Sequence, residues 1–175
     1  MFQRFHRRTR SNLLALLRMV SKGQDSPPLS LLDDRQLRWT IDAGLGPLLW
    51  SVSREDLKNG ESPSCRAVKA ADLTARLISQ IQLETLGEIL GKCEGLFPPI
   101  TLLKGSSTGS EFYPEPHLRI MRDLDLLVDP KDQPKLESIL LKIGFRQQST
   151  NSHEFYATHH HSMPFYHLPT GVWVE

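Results

Sequence analysis

The sequence predicts an α+β fold, a mixed sheet with helices preceded by an N-terminal helical region, and three observations carry that expectation. Across the first half, apolar residues recur at three- and four-residue steps, most clearly from Arg66 to Leu90. After Phe97-Pro98-Pro99 the pattern changes to short apolar and β-branched runs bounded by turn residues. Between those runs lie a Gly-Ser step at 105–106 and the Asp129-Pro130 and Gly144 marks of a further helix. The order is therefore strand, helix, strand, helix and then several strands.

At 175 residues the chain has room for one domain, or for one compact domain with a helical extension. Its 39% hydrophobic and 23% charged residues are ordinary for a globular protein, and no internal repeat is visible. A formal net charge of +1 gives no overall reason to expect nucleic acid or a membrane as partner. Charge is nevertheless uneven. Arg4, Arg7, Arg8, Arg10, Arg18 and Lys22 all precede the first acid, Asp25, and the remainder is mildly acidic.

Residues 1–28 read as a basic amphipathic helix and linker. The run Leu13-Leu14-Ala15-Leu16-Leu17 is too short to span a bilayer, and Arg18 interrupts it. A transit peptide or a surface-binding helix is the other reading. Residues 29–97 form the helical region. A helix is expected from Arg35 to Ala43, broken by Gly44, Gly46 and Pro47, with a short helix over Leu48–Val52 and a loop over Asn59–Ser64. In the long helix Leu73, Leu77, Ile81, Leu86, Ile89 and Leu90 form the packing stripe. Lys69, Asp72, Arg76, Gln80 and Glu84 take the solvent side.

Residues 98–175 read as the third segment, expected to be cut short at its C-terminus. Ile100–Leu103 reads as a buried strand, Ser106–Phe112 as a helix stopped by Pro114, and Arg122–Val128 as the second strand. Asp129 and Pro130 start a helix through Ile143, and Phe145–Gln148 follows as a strand. Strands are also expected over His153–Ser162, Phe165–Leu168 and Val172–Glu175, with a turn at Pro169-Thr170-Gly171.

Cys65 and Cys93 stand far apart with no CxxC spacing, which fits a reducing, cytoplasmic setting and neither a disulfide framework nor a zinc knuckle. Five of the seven histidines, His153, His159, His160, His161 and His167, gather near the C-terminus. They read as a zinc site, as the lining of a substrate cleft, or as plain strand and loop residues. No HxxxH pair supports the first. Walker A, GxGxxG, GxSxG and HExxH patterns are absent, which excludes P-loop kinases, dinucleotide enzymes, α/β-hydrolases and zincins.

The chemistry concentrates in Arg122-Asp123-Leu124-Asp125-Leu126-Leu127-Val128. Residues two apart on a strand share a face, so the carboxylates of Asp123 and Asp125 emerge together. Side by side they repel unless a cation lies between them, and hard oxygens on one face suit Mg²⁺. Alone, such a pair is equally a strand end with two solvated aspartates. Upstream, Lys104-Gly105-Ser106-Ser107 stands where a strand meets a helix. Glycine there lets a phosphate approach, and the first-turn N–H groups and serine hydroxyls can bind its oxygens. A plain capped turn reads the same way. Glu175, at the end of Val172-Trp173-Val174-Glu175, is placed to complete a three-acid site.

Together these residues resemble the nucleotidyltransferases of the polymerase-beta superfamily, and within it the bacterial group known as uncharacterised nucleotidyltransferase family proteins. The likeness runs from about Leu37 to Glu175. Leu103-Lys104-Gly105, Tyr113-Pro114, Arg119, Asp123-Leu124-Asp125, Gly144-Phe145 and Val174-Glu175 match the group's marks in order. A hydrophobic residue and a histidine expected after the glutamate are missing, and relatives are longer. The resemblance implies a polymerase-beta-like sheet and transfer of a nucleoside monophosphate from an NTP to a hydroxyl-bearing small-molecule or protein acceptor. It assigns two Mg²⁺ ions, with Mn²⁺ as the alternative, to Asp123, Asp125 and Glu175, Glu175 sharing the metal at the acceptor hydroxyl or acting as base. It gives the β/γ-phosphates to Gly105, Ser106 and Ser107, and the triphosphate charge to Arg119 and Lys104. The rival reading is a catalytically inactive nucleotide-binding or regulatory module, antitoxin-like or structural. Neither the acceptor nor the oligomeric state is set by the residues.

Overall fold

The computed structural model describes residues 32–57, 63–96, 98–148, 156 and 162–175. The basic stretch 1–28, residues 59–62 of the expected loop, and His153, His159, His160 and His161 lie outside the described residues. The loop's last two residues, Pro63 and Ser64, are helical instead, and of the expected strand 153–162 the described Tyr156 and Ser162 are not in a strand. By packing, the chain divides into two units between Ala75 and Arg76, within a long helix. The change of local pattern after residue 97 comes later, because the second part of that helix belongs to the core of the sheet.

The first unit is helical. Helix α1 (Asp34–Asp42) opens on a capping box: the Asp33 carboxylate accepts the Gln36 N–H at 2.8 Å, and the Asp33 N–H donates to the Gln36 side chain at 3.2 Å. Helix α2 (Gly46–Leu57) begins two residues earlier than expected and runs longer. Gly46 and Pro47 start it rather than break it, because proline lacks only an N–H that a first turn leaves unused. The chain reverses instead at Gly44, at φ 78°. Leu37, Leu49 and Val68 are the buried centre of this unit.

Helix α3 (Pro63–Cys93) is the longest element. Its buried face corrects the expectation. Leu73 and Leu77 are 56% and 60% exposed, whereas Asp72, Ser79, Gln82 and Thr85 are buried with Val68, Ala75, Leu86, Ile89 and Cys93. Steps of three and four residues link both sets, so periodicity alone left the choice of face open. It is decided by polar side chains that find partners when buried. The Gln82 amide donates to the Met121 carbonyl at 3.2 Å, and the Thr85 hydroxyl to the Ile81 carbonyl at 2.7 Å. The C-terminal part of the stripe, Leu86, Ile89 and Leu90, packs as expected.

In the second unit β1 (Thr101–Leu102) pairs antiparallel with β2 (Leu126–Leu127), and β3 (Phe145–Gln147), β4 (Phe165–His167) and β5 (Val172–Val174) form an antiparallel meander. A parallel bridge between Leu124 and Val174 joins the two groups. It is reinforced by hydrogen bonds from Leu124 N to the Trp173 carbonyl (2.9 Å) and from Leu126 N to the Glu175 carbonyl (2.8 Å). The architecture is therefore α+β as expected, with two small antiparallel sheets, β1-β2 and β3-β4-β5, set side by side through this parallel bridge. The strands are shorter than the sequence suggested. Helix α4 (Lys104–Phe112) follows β1 and begins two residues before the expected serine. Tyr113 ends it in an extended conformation, as a residue before proline must.

Helix α5 (Gln133–Lys142) begins later than Asp129-Pro130. Asp129 makes a turn instead, its carbonyl accepting from Asp132 N at 2.8 Å and its carboxylate from Lys131 N at 3.1 Å. Pro134 takes the first turn of the helix, and Gly144 closes it at φ 99°. Alternation then sorts the sheet. Leu124, Phe145, Phe165, Val172 and Val174 pack against Leu86, Ile89, Leu136, Ile139 and Leu140 on one face. The alternate residues, Asp123, Asp125, Trp173 and Glu175, leave from the other.

Candidate functional site

The acidic cluster follows from that sorting. Leu124 and Val174 are bridge partners and fully buried, which turns their neighbours Asp125 and Glu175 to the opposite face on adjacent strands. Asp123 lies two residues before Asp125 and joins them. One carboxylate oxygen from each of Asp123, Asp125 and Glu175 lies within 4.8 Å of the other two. Asp125 is buried, and its two partners are half-buried. Three hard oxygen donors at that spacing could hold a divalent metal ion, which would neutralise their mutual repulsion.

Backbone pairing brings the Gly-Ser turn to the same place. Leu103 N donates to the Asp125 carbonyl at 3.0 Å, so Lys104 leaves β1 directly beside the acid strand. The Lys104 ammonium lies 2.6 Å from Asp125 Oδ1. That hydrogen bond is the largest cause raising the lysine pKa above its ordinary value; desolvation opposes it, and attraction from Asp125, Asp123 and Glu175 adds to it. Lys104 is also the one described non-glycine residue at positive φ, 48°.

Ser106, in the first turn of α4, is 3% exposed, and its hydroxyl has no hydrogen-bond partner among the described residues. A buried hydroxyl without a partner is uncommon, and Ser106 follows two residues after Lys104, which touches Asp125. Gly105 answers to packing as well as to ligand access, since a Cβ there would lie 2.7 Å from Met121 Cγ. Ser107 is half-buried. The Arg119 guanidinium donates to the Ile120 carbonyl at 2.7 Å, and its stem lies beside Gly109. It is not part of the acidic cluster. His167 is on the core face, stacked on Phe145 with ring centroids 4.7 Å apart and its Nδ1 2.8 Å from the Thr170 hydroxyl.

Two features were missed in the sequence. Tyr166 stands opposite Trp173, with ring centroids 4.6 Å apart, on the face that carries the acids. Reading the Pro169-Thr170-Gly171 turn as a tight hairpin gives that register. A cavity of about 220 Å³ beside Asp125 and Glu175 is walled by Leu136, Leu140, Phe165 and Val174 and edged by Gln133 and Glu137. No local pattern marks it, because those walls come from three separate elements, α5, β4 and β5.

A family model described as uncharacterised nucleotidyltransferase matches residues 31–175. The chain belongs to that family. No curated protein and no solved structure matches it. Membership supports nucleotidyl transfer as the general activity and implies a nucleoside triphosphate as substrate. The family's span includes α1, α2 and α3 as well as the sheet, so the helical region belongs to the family's unit of sequence. Among the described residues no helix is long and apolar enough to cross a membrane.

Proposed function

We propose that this chain transfers a nucleoside monophosphate from an NTP to a hydroxyl-bearing small molecule or protein, with two Mg²⁺ ions held by Asp123, Asp125 and Glu175. The observation that carries this reading is the convergence of those three carboxylates within 4.8 Å beside the first turn of α4. When bound, the ions supply charge neutralisation at the attacking and leaving oxygens of an in-line displacement. The chain's own residues do the remainder. Ser106, buried without a partner, gives its hydroxyl to a phosphate oxygen, and the N–H groups of Gly105, Ser106 and Ser107 complete the cradle. Lys104 and Arg119 offset triphosphate charge. As the acceptor oxygen bonds to the α-phosphorus, the bond to the β-phosphate oxygen breaks, pyrophosphate leaves, and the acceptor proton passes to Glu175 or to solvent.

Calorimetry with α,β-methylene-ATP, with and without Mg²⁺, tests the reading. Binding is expected only with the ion, and the Asp123→Asn/Asp125→Asn pair abolishes it. Nucleotide binding that survives both substitutions unchanged would falsify the metal-nucleotide reading.

A further inference from the structure

The ion pair between Lys104 and Asp125 bears on how the cluster fills. The Lys104 ammonium lies 2.6 Å from Oδ1 of an aspartate whose side chain is only 8% exposed, while the lysine's own side chain is 56% exposed. The carboxylate is therefore held in place and the ammonium sits at the mouth on a solvated stem, free to leave without unpacking anything. Attraction from all three acids draws it inward. The backbone contributes too. At φ 48° Lys104, the first residue of α4, occupies a conformation that glycine adopts freely and a lysine does not.

We propose that Lys104 is the resident cation of the acidic cluster: it balances Asp125 until a divalent ion arrives with its nucleotide, and then turns to the triphosphate. The inference rests on the metal-nucleotide reading of the cluster. An oxygen in a 2.6 Å bond to an ammonium offers a divalent ion little room, and the two cations repel at such separations. An ion alone must displace the lysine with nothing to receive it. With a triphosphate present the ammonium has a new partner, so ion and nucleotide favour each other's binding by the same factor.

The test measures Mn²⁺ binding by electron paramagnetic resonance, with and without α,β-methylene-ATP, for wild type, Lys104→Met and Lys104→Arg, with thermal unfolding to verify folding. Wild type is expected to bind Mn²⁺ about tenfold more tightly when the nucleotide is present, within the usual range of coupling between sites. Lys104→Met binds Mn²⁺ alone about tenfold more tightly than wild type and loses most of that coupling, while Lys104→Arg keeps both wild-type features. If Lys104→Met does not fold, Lys104→Gly, which also relieves the positive φ, carries the same expectation. A variant without the ammonium that binds Mn²⁺ alone no more tightly than wild type overturns the proposal. Asp123→Asn in the same titration separates the two claims. Loss of its Mn²⁺-dependent nucleotide binding upholds the metal-nucleotide reading whatever Lys104 does, and unaltered binding sinks that reading by itself.

Discussion

Ser106 and Gly105 sit side by side, yet substitutions at the two should have opposite signatures. The Ser106 hydroxyl has no hydrogen bond among the described residues to lose, so Ser106→Ala should leave unfolding within about 0.5 kcal/mol of wild type, as at sites without a special role. A hydrogen bond to a charged phosphate is worth about 1.5–3 kcal/mol, so the same change should weaken nucleotide binding tenfold or more. Equal affinity of the two proteins by calorimetry removes Ser106 from the cradle. Gly105→Ala pushes a methyl against Met121 and should cost about 1–3 kcal/mol in denaturant unfolding, as overpacking does. Combined with Met121→Ala it should cost less than the sum of the two, because each change makes room for the other. At this scale the sequence was legible where a period of two applies. Asp123, Asp125 and Glu175 follow from alternation about Leu124 and Val174, once those strands are known to be neighbours. The Lys104–Asp125 pair was not legible, since it depends on the register that puts Leu103 beside Asp125 and on a positive φ that no residue type announces.

Helix α3 shows what element-scale patterning leaves open. Its existence was plain, although it runs three residues further at each end than Arg66–Leu90; Leu73 and Leu77 belong to the exposed side, and the buried side includes Asp72, Gln82 and Thr85. Thr85 finds its partner one turn back on the same helix, but Gln82 is satisfied by the Met121 carbonyl on another segment, which no window of helix sequence contains. Chemical denaturation can check the corrected face. Leu73→Gln and Leu77→Gln should each fall within about 0.5 kcal/mol of wild type, whereas Ile89→Ala, with no exposed surface, should cost about 2–5 kcal/mol. A large loss at either leucine would return it to the core. Cys93 ends the same helix, and burial pushes its thiol above the ordinary 9.0. The folded state then holds this proton more tightly than the unfolded one. The contribution to stability is complete below pH 9.0 and is lost as pH rises toward the folded value. In a Cys65→Ser background at pH 8, Cys93 should react with a disulfide reagent no faster than the protein opens. Rapid labelling under native conditions would place that thiol at the surface.

At the scale of the molecule, the sheet and its helices were readable because strand and helix periods alternate clearly after residue 97, and the packing of α3 into that sheet was not, because it joins residues far apart in sequence. The same long-range assembly concentrates negative charge. Three carboxylates within 4.8 Å, offset at Asp125 by one largely exposed lysine, repel one another in the fold, and on the proposed function a bound cation would relieve that repulsion. Asp123→Asn should therefore raise stability in ligand-free buffer by about 1 kcal/mol, the scale of close like-charge pairs on a sheet face, and that is about 2–4 °C for a chain of this size. With Mg²⁺ and α,β-methylene-ATP at a hundred times the dissociation constant, wild type should gain about 2.7 kcal/mol, overtaking the variant, which should gain almost nothing. Differential scanning calorimetry of the two proteins in both buffers reads this crossing directly. Curves that keep the same order with and without ligand would mean that the acids carry no cation-binding function, since repulsion retained in the fold would then be matched by no gain on binding.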